Sequence, residues 1–265
     1  MTSNTLVRSL IAAGTVAFLA VGGTAIAQQK PYEPQVGQAG KDVVWVPSPD
    51  GLVAAMLDMA KVTKADNLVD LGSGDGRTVI AAAKRGVKAR GIEYNPDMVA
   101  LSRKNAAAAG VASMATFING DIFQTDFSDA TVVTMFLLPS LNVRLRPTLL
   151  KMKPGTRIVS NSFDMGDWTP DQEAGAKGDC TSYCRAMLWI VPAQVDGTWK
   201  TGTGQLVLQQ KYQMLTGFMT NGGNTVQISE GKMNGENITF RAGGRTYAGK
   251  VNGNRILGNG WQASK

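Results

Sequence analysis

Short apolar runs and helix-like segments alternate through the middle of this chain, which is the pattern of parallel strands joined by helices. Continuous apolar runs of this length are typical of strands that are buried on both faces. The strands are predicted over residues 68–71, 89–93, 115–118, 131–138 and 157–163. We therefore expect an α/β fold built on a doubly wound, mostly parallel, Rossmann-like sheet, with its ligand site at the C-terminal ends of the strands.

Residues that favour helix ends mark the helices around these strands. Ser48 is predicted to cap a first helix, with the following proline as its first residue. Asn95 is predicted to cap another helix, which ends at Gly110. The remaining helices are predicted over residues 77–84 and 141–152, the second with a break at Pro147.

The chain changes character after residue 163. A polar loop over 164–179 leads to a strand at 186–191, and a tail rich in Gly and Asn follows. That tail contains Asn-Gly steps at residues 234–235 and 252–253, and Asn-Gly between alternating residues is a strong hairpin signal. Residues 197–265 are therefore predicted to form a small antiparallel β module.

A glycine-rich turn follows the first predicted strand, where residues 70–77 read Asp-Leu-Gly-Ser-Gly-Asp-Gly-Arg. A dinucleotide-binding turn would carry a third small residue at position 77, and a triphosphate-binding loop would carry Lys there, so that Arg77 fits neither. Glu93 ends the next predicted strand, where a carboxylate accepts hydrogen bonds from both hydroxyls of a ribose. The pattern therefore predicts a nucleoside without a pyrophosphate, S-adenosylmethionine, with Asp70 holding its positively charged amino-acid end.

The composition excludes several kinds of active site. The chain has no histidine, which excludes Ser-His-Asp catalysis, Cys-His catalysis and metals ligated by histidine. The spacing of its two cysteines, Cys180 and Cys184, fits either a short disulfide loop or two free thiols and does not decide between them. Because such a pair is a poor metal site without histidine, we expect no bound metal.

Positive charge is concentrated at the C-terminal end. The whole chain carries 27 Lys and Arg against 20 Asp and Glu, whereas residues 197–265 alone carry eight against two. One interpretation is contact with an anionic surface, either a membrane surface of lipid headgroups or an acidic partner. The other is a solvated sheet face whose edge lysines discourage aggregation. Nucleic acid is not expected as a partner, because no base-stacking motif accompanies these charges.

The first residues of the chain have the pattern of an export signal. Arg8 precedes an uncharged apolar run over 10–21, and Ala-Ile-Ala at 25–27 offers a cleavage site between small residues. We expect residues 1–27 to be a signal peptide and the protein to be exported, to the periplasm or beyond, with 28–42 as an extended lead-in. The alternative is an uncleaved membrane anchor.

With the glycine-rich turn and Glu93 in place, residues 43–163 resemble the class I S-adenosylmethionine-dependent methyltransferases, and we assign 43–196 to that domain. Further motifs make the chain similar to the small membrane-associated protein-lysine methyltransferases that modify the ATP synthase c-subunit and the adenine nucleotide translocase. These motifs lie at residues 46–49, 91–96, 121–123, 126–128 and 136–140.

The resemblance implies how the methyl donor is bound. Glu93 would hold the ribose and Asp121 the adenine amino group, with Tyr94 and Ile122 flanking the adenine ring. The alternative for Asp121 is a turn or helix-capping residue. The residues of the glycine-rich turn implied to contact the donor are Asp70, Gly72, Ser73, Gly74, Asp75 and Gly76.

The resemblance also implies an acceptor channel just past the fourth strand. Its expected residues are Phe136, Leu138, Pro139 and Ser140, although Phe136 and Leu138 would also fit an ordinary apolar core. The implied activity is N-methylation of a lysine side chain in a protein substrate. The alternative is a non-catalytic exported cell-envelope binding protein, in which the β module would be the working part.

Overall fold

Two β-sheets follow one another along the chain in the computed structural model, which describes residues 1–2, 32–176, 178 and 180–265. Residues 3–27 of the predicted signal peptide and 28–31 of the predicted lead-in lie outside the described residues, as do 177 and 179 of the predicted polar loop. In the described part of the chain, no helix has both the length and the apolar character needed to cross a membrane.

The first sheet alternates with helices, as the hydrophobic pattern predicts. The helices are α1 (Asp50–Met59), α2 (Arg77–Lys84), α3 (Pro96–Ala108) and α4 (Pro139–Leu149). The strands are β1 (Asn67–Leu71), β2 (Lys88–Glu93), β3 (Ala115–Asn119), β4 (Val132–Met135), β5 (Arg157–Asn161), β6 (Gln172–Gly175) and β7 (Arg185–Ile190). Asn95 caps α3 as predicted, because its side chain accepts hydrogen bonds from the next turn.

The strand order of this sheet is β3-β2-β1-β4-β5-β7-β6. The first five strands along the chain run parallel, whereas β7 is antiparallel to β5 and β6 is antiparallel to β7. Because the chain builds outward from β1 on one side and then returns to β4 on the other, a crevice opens at the carboxyl ends of these two strands. The predicted doubly wound, mostly parallel α/β fold is confirmed.

Neighbouring residues of β1 face opposite sides of the sheet, and both sides are buried. Leu68 packs in a cluster that includes Leu52 and Met56 of α1, whereas Val69 packs in a second cluster that includes Leu145 of α4. Fully burying a side chain of this size contributes about 1.5–3 kcal/mol. The continuous apolar run of β1 is explained by this double burial, since a solvated face would carry polar residues.

Two strands end earlier than predicted. β4 stops at Met135, although its apolar run continues to Leu138, because Met135 pairs with Leu71, the last residue of β1. Beyond Leu71 the chain turns away at Gly72 and offers no strand for further pairing. β5 likewise ends at Asn161 rather than at residue 163.

Helix α4 begins at Pro139 and passes through Pro147 without the predicted break. A proline inside a helix lacks the N–H for one hydrogen bond and usually ends or kinks the helix. Here only Thr148 and Leu149 follow it, so that little helix remains to be disrupted. The buried side chains of Leu145 and Leu149 hold this last turn in the core.

Two further local predictions are wrong. Ser48 does not cap α1, since Pro49 takes that position and the Ser48 hydroxyl accepts a hydrogen bond of 2.9 Å from Asn161. Part of the predicted loop 164–179 is the strand β6, whose four residues are all exposed. An edge strand tolerates this polarity because pairing with β7, not burial, stabilises it.

The second sheet is antiparallel and closes on itself. Its strands are β8 (Gly197–Thr201), β9 (Gly204–Lys211), β10 (Met214–Asn221), β11 (Asn224–Gln227), β12 (Ser229–Asn234), β13 (Asn237–Ala242), β14 (Arg245–Asn252), β15 (Arg255–Gly258) and β16 (Trp261–Ser264). The sheet is closed because β9 pairs with β8 on one side and with β10 on the other. On its far side β8 pairs with β16, and β10 pairs with β11 and β12. The predicted antiparallel β module is confirmed.

Both Asn-Gly steps produce hairpins, but each asparagine ends a strand. Asn234 pairs with Asn237, which leaves Gly235 and Glu236 as the two residues of the turn. Gly235 has a φ of +59°, and Gly253 in the second hairpin has a φ of +55°. Glycine adopts this left-handed conformation without steric cost, and it suits the first position of a tight hairpin turn.

A buried glutamine joins the second sheet to the loop before β6. Gln213, between β9 and β10, accepts a hydrogen bond of 2.9 Å from the Trp168 indole. Its amide donates a hydrogen bond of 2.8 Å to the Thr169 carbonyl. Because the Gln213 side chain satisfies a polar group on each side of the contact, it orients the two sheets against each other.

Part of the basic charge of the second sheet is used within the protein. Lys211 pairs with Asp167, and Lys232 pairs with Asp171, each at 3.0 Å. Both carboxylates lie in the loop before β6, so that these lysines help to attach the second sheet to the first. Contact of the remaining basic residues with an anionic surface stays a prediction.

We expect Gln213→Ala to lower the free energy of unfolding by about 1–3 kcal/mol, because it leaves the buried Trp168 N–H without its acceptor. Urea denaturation followed by tryptophan fluorescence measures this change. Gln209→Ala on β9 is the matched control, since Gln209 is exposed and its loss should change stability by less than about 0.5 kcal/mol. Equal effects of the two substitutions would refute the assigned role of Gln213.

Candidate active site

A pocket opens at the crevice outside the carboxyl ends of β1 and β4. The turns that follow β1 to β5 line it, together with residues 38–48, which we call the strap. The predicted site residues that line the pocket are Asp70, Gly72, Ser73, Gly74, Asp75, Glu93, Tyr94, Asp121, Ile122, Phe136 and Leu138. Gly76, Pro139 and Ser140 were also predicted at the site, but they lie outside this lining.

The glycine-rich turn depends on backbone conformations that favour glycine. Gly72, Gly74 and Gly76 have φ angles of +74°, +53° and +83°. A Cβ on Gly74 would lie 2.6 Å from the indole nitrogen of Trp45 in the strap. A Cβ on Gly76 would lie 2.8 Å from the Phe117 ring, so that Gly76 faces the protein interior and permits close packing of α2.

The Glu93 carboxylate joins two turns at the pocket. One of its oxygens accepts a hydrogen bond of 2.9 Å from the Gly74 N–H, and the other accepts one of 2.9 Å from the Asn95 N–H. A carboxylate has about four acceptor positions, so two remain for the hydroxyls of a ribose. Glu93 therefore shapes the pocket and is also placed for its predicted ligand contact.

Asp70 is a buried carboxylate at the end of β1. It accepts a hydrogen bond of 2.6 Å from the Thr134 hydroxyl. Burial, aided by the negative charges of Glu93 and Asp75, raises the pKa of Asp70 from 3.8 to about 7, although the Thr134 hydrogen bond opposes the shift. Asp70 is therefore poised to ionise when a cation enters the pocket.

Asp121 is held by a lysine of the strap. Lys41 lies 2.6 Å from its carboxylate and 4.7 Å from the centre of the Tyr94 ring. The hydrogen bond from Lys41, followed by that from the Phe123 backbone N–H, lowers the pKa of Asp121. Two of the three residues predicted to contact the adenine, Asp121 and Tyr94, thus touch the same lysine.

The role of the strap was not predicted from the sequence. Residues 28–42 were predicted to be an extended lead-in, yet 38–42 line the pocket together with 43–48. The apolar run Val43-Val44-Trp45-Val46 was the available signal, because an exposed linker seldom carries four large apolar residues in succession. The strap is anchored by Arg77, whose guanidinium donates a hydrogen bond of 2.9 Å to the Ser48 carbonyl.

Aromatic and aliphatic side chains form the side of the pocket that follows β4 and β5. Phe136 and Leu138, predicted for the acceptor channel, line it together with Leu141, Phe163 and Tyr183, which the sequence analysis did not identify. Tyr183 lies between Cys180 and Cys184, which form a disulfide. The structure thus decides the pairing that the cysteine spacing left open.

The charged groups of the pocket lining are mainly acidic. Its carboxylates are Asp42, Asp70, Asp75, Glu93 and Asp121, against the cations Lys41 and Arg77. Both cations are paired, Lys41 with Asp121 at 2.6 Å and Arg77 with Asp75 at 2.7 Å. The lining therefore favours a positively charged ligand over a phosphate. Within the described residues, no group of three or more His, Cys, Asp or Glu is arranged to hold a metal.

Known proteins similar to this chain are methyltransferases. The family described as ANTKMT methyltransferase domain matches residues 70–172. A protein-lysine N-methyltransferase of Saccharolobus islandicus is 44% identical over 133 residues, which cover 49% of this chain and 83% of that protein. The human lysine N-methyltransferase of the ATP synthase c-subunit is 35% identical over 158 residues, covering 58% of this chain and 67% of that protein.

One solved structure has a similar fold, and its description names RNA, not protein, as the acceptor. It is described as an RNA methyltransferase from Salinibacter ruber in complex with S-adenosyl-L-homocysteine. Its sequence is 47% identical, and the TM-score is 0.53, with 57% of this chain and 96% of that chain covered. These relatives agree on methyl transfer and differ in the acceptor that their names state.

We expect the affinity for S-adenosylmethionine to rise between pH 5.5 and 7, by at most about tenfold per pH unit, and then to level off. The donor's positive charges favour ionised Asp70, whose pKa of about 7 in the free protein means that a proton must leave at lower pH. Isothermal titration calorimetry across this range measures the dependence.

Two variants control this pH experiment. Asp70→Asn should bind more weakly and without this pH dependence, whereas Thr134→Val should move the levelling-off to higher pH by removing a hydrogen bond that favours the ionised form. Identical pH profiles for the unaltered chain and Asp70→Asn would refute the role assigned to Asp70.

Glu93→Ala should weaken binding of S-adenosylhomocysteine by about tenfold to a hundredfold, because hydrogen bonds to a charged acceptor are lost. Since Glu93 also holds the Gly74 and Asn95 backbones, a second ligand separates the two roles. The unaltered chain should prefer S-adenosylhomocysteine to its 2′-deoxy analogue, and Glu93→Gln should reduce this preference. A preference that survives in Glu93→Gln would contradict the ribose contact.

Proposed function

This chain belongs to the ANTKMT methyltransferase domain family, and we propose that its acceptor is a lysine side chain of a protein. The chain is an S-adenosylmethionine-dependent methyltransferase, as the glycine-rich turn and Glu93 predict. The relatives from Saccharolobus and human carry lysine acceptors in their names, which supports the narrower proposal.

The acidic lining of the pocket is the observation that carries this proposal. Two of the five carboxylates pair with the two cations, so that an entering phosphate would meet the three carboxylates that remain. An RNA acceptor brings phosphates close to the reacting base, whereas a lysine side chain brings a single positive charge. Among the described residues that line the side proposed for the acceptor, there is also no Lys or Arg to bind a phosphate, which supports lysine over the RNA acceptor named for the Salinibacter structure.

The residues present fit the donor and the reaction. S-adenosylmethionine supplies a sulfonium methyl, whose bond to sulfur breaks as a bond to the acceptor nitrogen forms. Asp70 and Glu93 are placed to hold the charged end and the ribose of the donor, which fixes its orientation. Before transfer the lysine must lose its proton to solvent, and the aliphatic side chains of Leu138 and Leu141 favour the neutral amine by desolvation.

The comparisons favour an enzyme over the exported non-catalytic binding protein considered from sequence. Export itself remains part of our proposal, and the disulfide between Cys180 and Cys184 supports it because such bonds persist in oxidising compartments. Sequencing the N-terminus of the purified native protein tests it. A first residue at Gln28 would support cleavage after Ala27.

We expect labelled methyl groups from S-adenosylmethionine to enter protein when the purified chain is added to a lysate of cells that lack it. Protease should remove the label from the macromolecular fraction and ribonuclease should not, because the proposed acceptor is a lysine. Mass spectrometry should then place the added methyl groups on lysine side chains.

Asp70→Asn and Glu93→Ala are the controls for this assay, and both should lower the incorporation. Label that is lost on ribonuclease treatment would transfer the proposal to an RNA acceptor. Label found in protein but on residues other than lysine would overturn the lysine assignment and leave methyl transfer intact.

A further inference from the structure

Three aromatic rings stand together at the acceptor side of the pocket. The Phe136 ring lies 5.1 Å from that of Tyr183 and 6.0 Å from that of Phe163, and the latter two are 5.9 Å apart. All three rings line the pocket. The core aromatics Trp168 and Trp189 are fully buried, but Tyr183 is 41% exposed. The three rings therefore form an open wall rather than part of the core.

Backbone angles unfavourable for residues other than glycine occur at one of these rings and directly before another. Ser162, directly before Phe163, has a φ of +59°, and Tyr183 itself has a φ of +55°. Residues other than glycine adopt such angles at an energetic cost and keep them only where the surroundings enforce them. Outliers of this kind concentrate at ligand-binding sites, and in this protein Lys61, Tyr212 and Glu230 also adopt them outside the pocket lining.

Hydrogen bonds hold the backbone at Phe163, and a disulfide closes the loop that carries Tyr183. The Phe163 carbonyl accepts a hydrogen bond of 2.6 Å from the Ser160 hydroxyl and one of 3.1 Å from the Asn142 side-chain amide. Tyr183 is carried by the short loop that the disulfide closes. A side chain in an open loop would lose more conformational entropy on contacting a ligand than one in a closed loop.

We propose that Phe136, Phe163 and Tyr183 form a cation–π site for the methylammonium group that methyl transfer creates on the acceptor, with the disulfide loop supplying the third ring. The inference rests on the lysine acceptor proposed above. Ring faces attract ammonium and methylammonium groups, and several rings around one cation add their effects. Leu138 and Leu141 line the same part of the pocket and offer apolar surface to the four-carbon stem of a lysine.

The site has a specific place in the reaction. Methyl transfer to a neutral amine moves a positive charge from the donor's sulfur to the acceptor's nitrogen. Rings that face this nitrogen stabilise the charge as it develops, and they interact less with the neutral amine. Tyr183 is thus proposed to bind the methylammonium product and the charge that precedes it, without exchanging a proton.

Two probes of the same shape test this charge preference. Nε-trimethyllysine carries a fixed positive charge, and its neutral isostere has carbon in place of the terminal nitrogen. In NMR titrations of the full chain saturated with S-adenosylhomocysteine, the unaltered protein should bind the charged probe about tenfold more tightly than the neutral one. Equal binding of the two probes would overturn the cation–π site.

Matched variants assign the preference to the third ring and its loop. Tyr183→Ala should reduce the preference to about twofold or less, whereas Tyr183→Phe should keep it, because the ring and not the hydroxyl faces the cation. Replacing both Cys180 and Cys184 with Ser should lower it in the same direction as Tyr183→Ala. A full preference in the double Ser variant would overturn the role of the disulfide, and a full preference in Tyr183→Ala would overturn that of the ring.

The experiment separates this inference from the proposed function. Affinity for S-adenosylhomocysteine, measured on each variant, reports that the donor side is folded. If the unaltered chain binds S-adenosylhomocysteine and methylates lysine but shows no charge preference, the ring site is wrong and the function stands. If the charge preference holds while incorporated methyl groups are found only in RNA, the ring site stands as a cation site and its assignment to lysine is overturned.

Discussion

The hydrogen bond from the Gly74 N–H to the Glu93 carboxylate is the contact on which the site depends. The turn after β1 bends through left-handed glycine conformations, which are accessible to glycine but not specified by it. Glu93 selects one arrangement of that turn, and through its second oxygen it also fixes the start of α3 at Asn95. One carboxylate at a strand end therefore positions both backbone segments that line the pocket at the site proposed for the donor.

The two sides of the pocket differ in the chemical character of the side chains that line them. Carboxylates such as Asp70 and Asp121 occupy the side proposed for the donor, and the burial of Asp70 strengthens its interaction with positive charge. Aromatic and aliphatic groups occupy the side proposed for the acceptor, where we propose that the aliphatic side chains disfavour a protonated amine before transfer and the rings stabilise the methylammonium that forms. A reaction that moves a positive charge from one side to the other fits both halves.

The types of the elements could be read from the chain more reliably than their ends. The apolar runs marked the parallel strands because burial on both faces leaves a continuous signature. The end of β4 at Met135 could not be predicted from the sequence, since it depends on the end of the neighbouring strand β1 at Leu71. The continuation of α4 past Pro147 also depends on tertiary contacts. Packing of the last helical turn outweighs the local tendency of proline to end a helix.

The sequence by itself determined the fold class, the donor and the residues that follow β1 and β2, because each of these depends on short-range spacing around Gly72 and Glu93. Only the tertiary structure decided that Lys41, 80 residues before Asp121, would lie against it, and that Tyr183 would join Phe136 at the acceptor side. Contacts between residues so far apart in sequence leave no periodic pattern in it. They arise when the sheet, the strap and the disulfide loop bring distant segments to the same crevice.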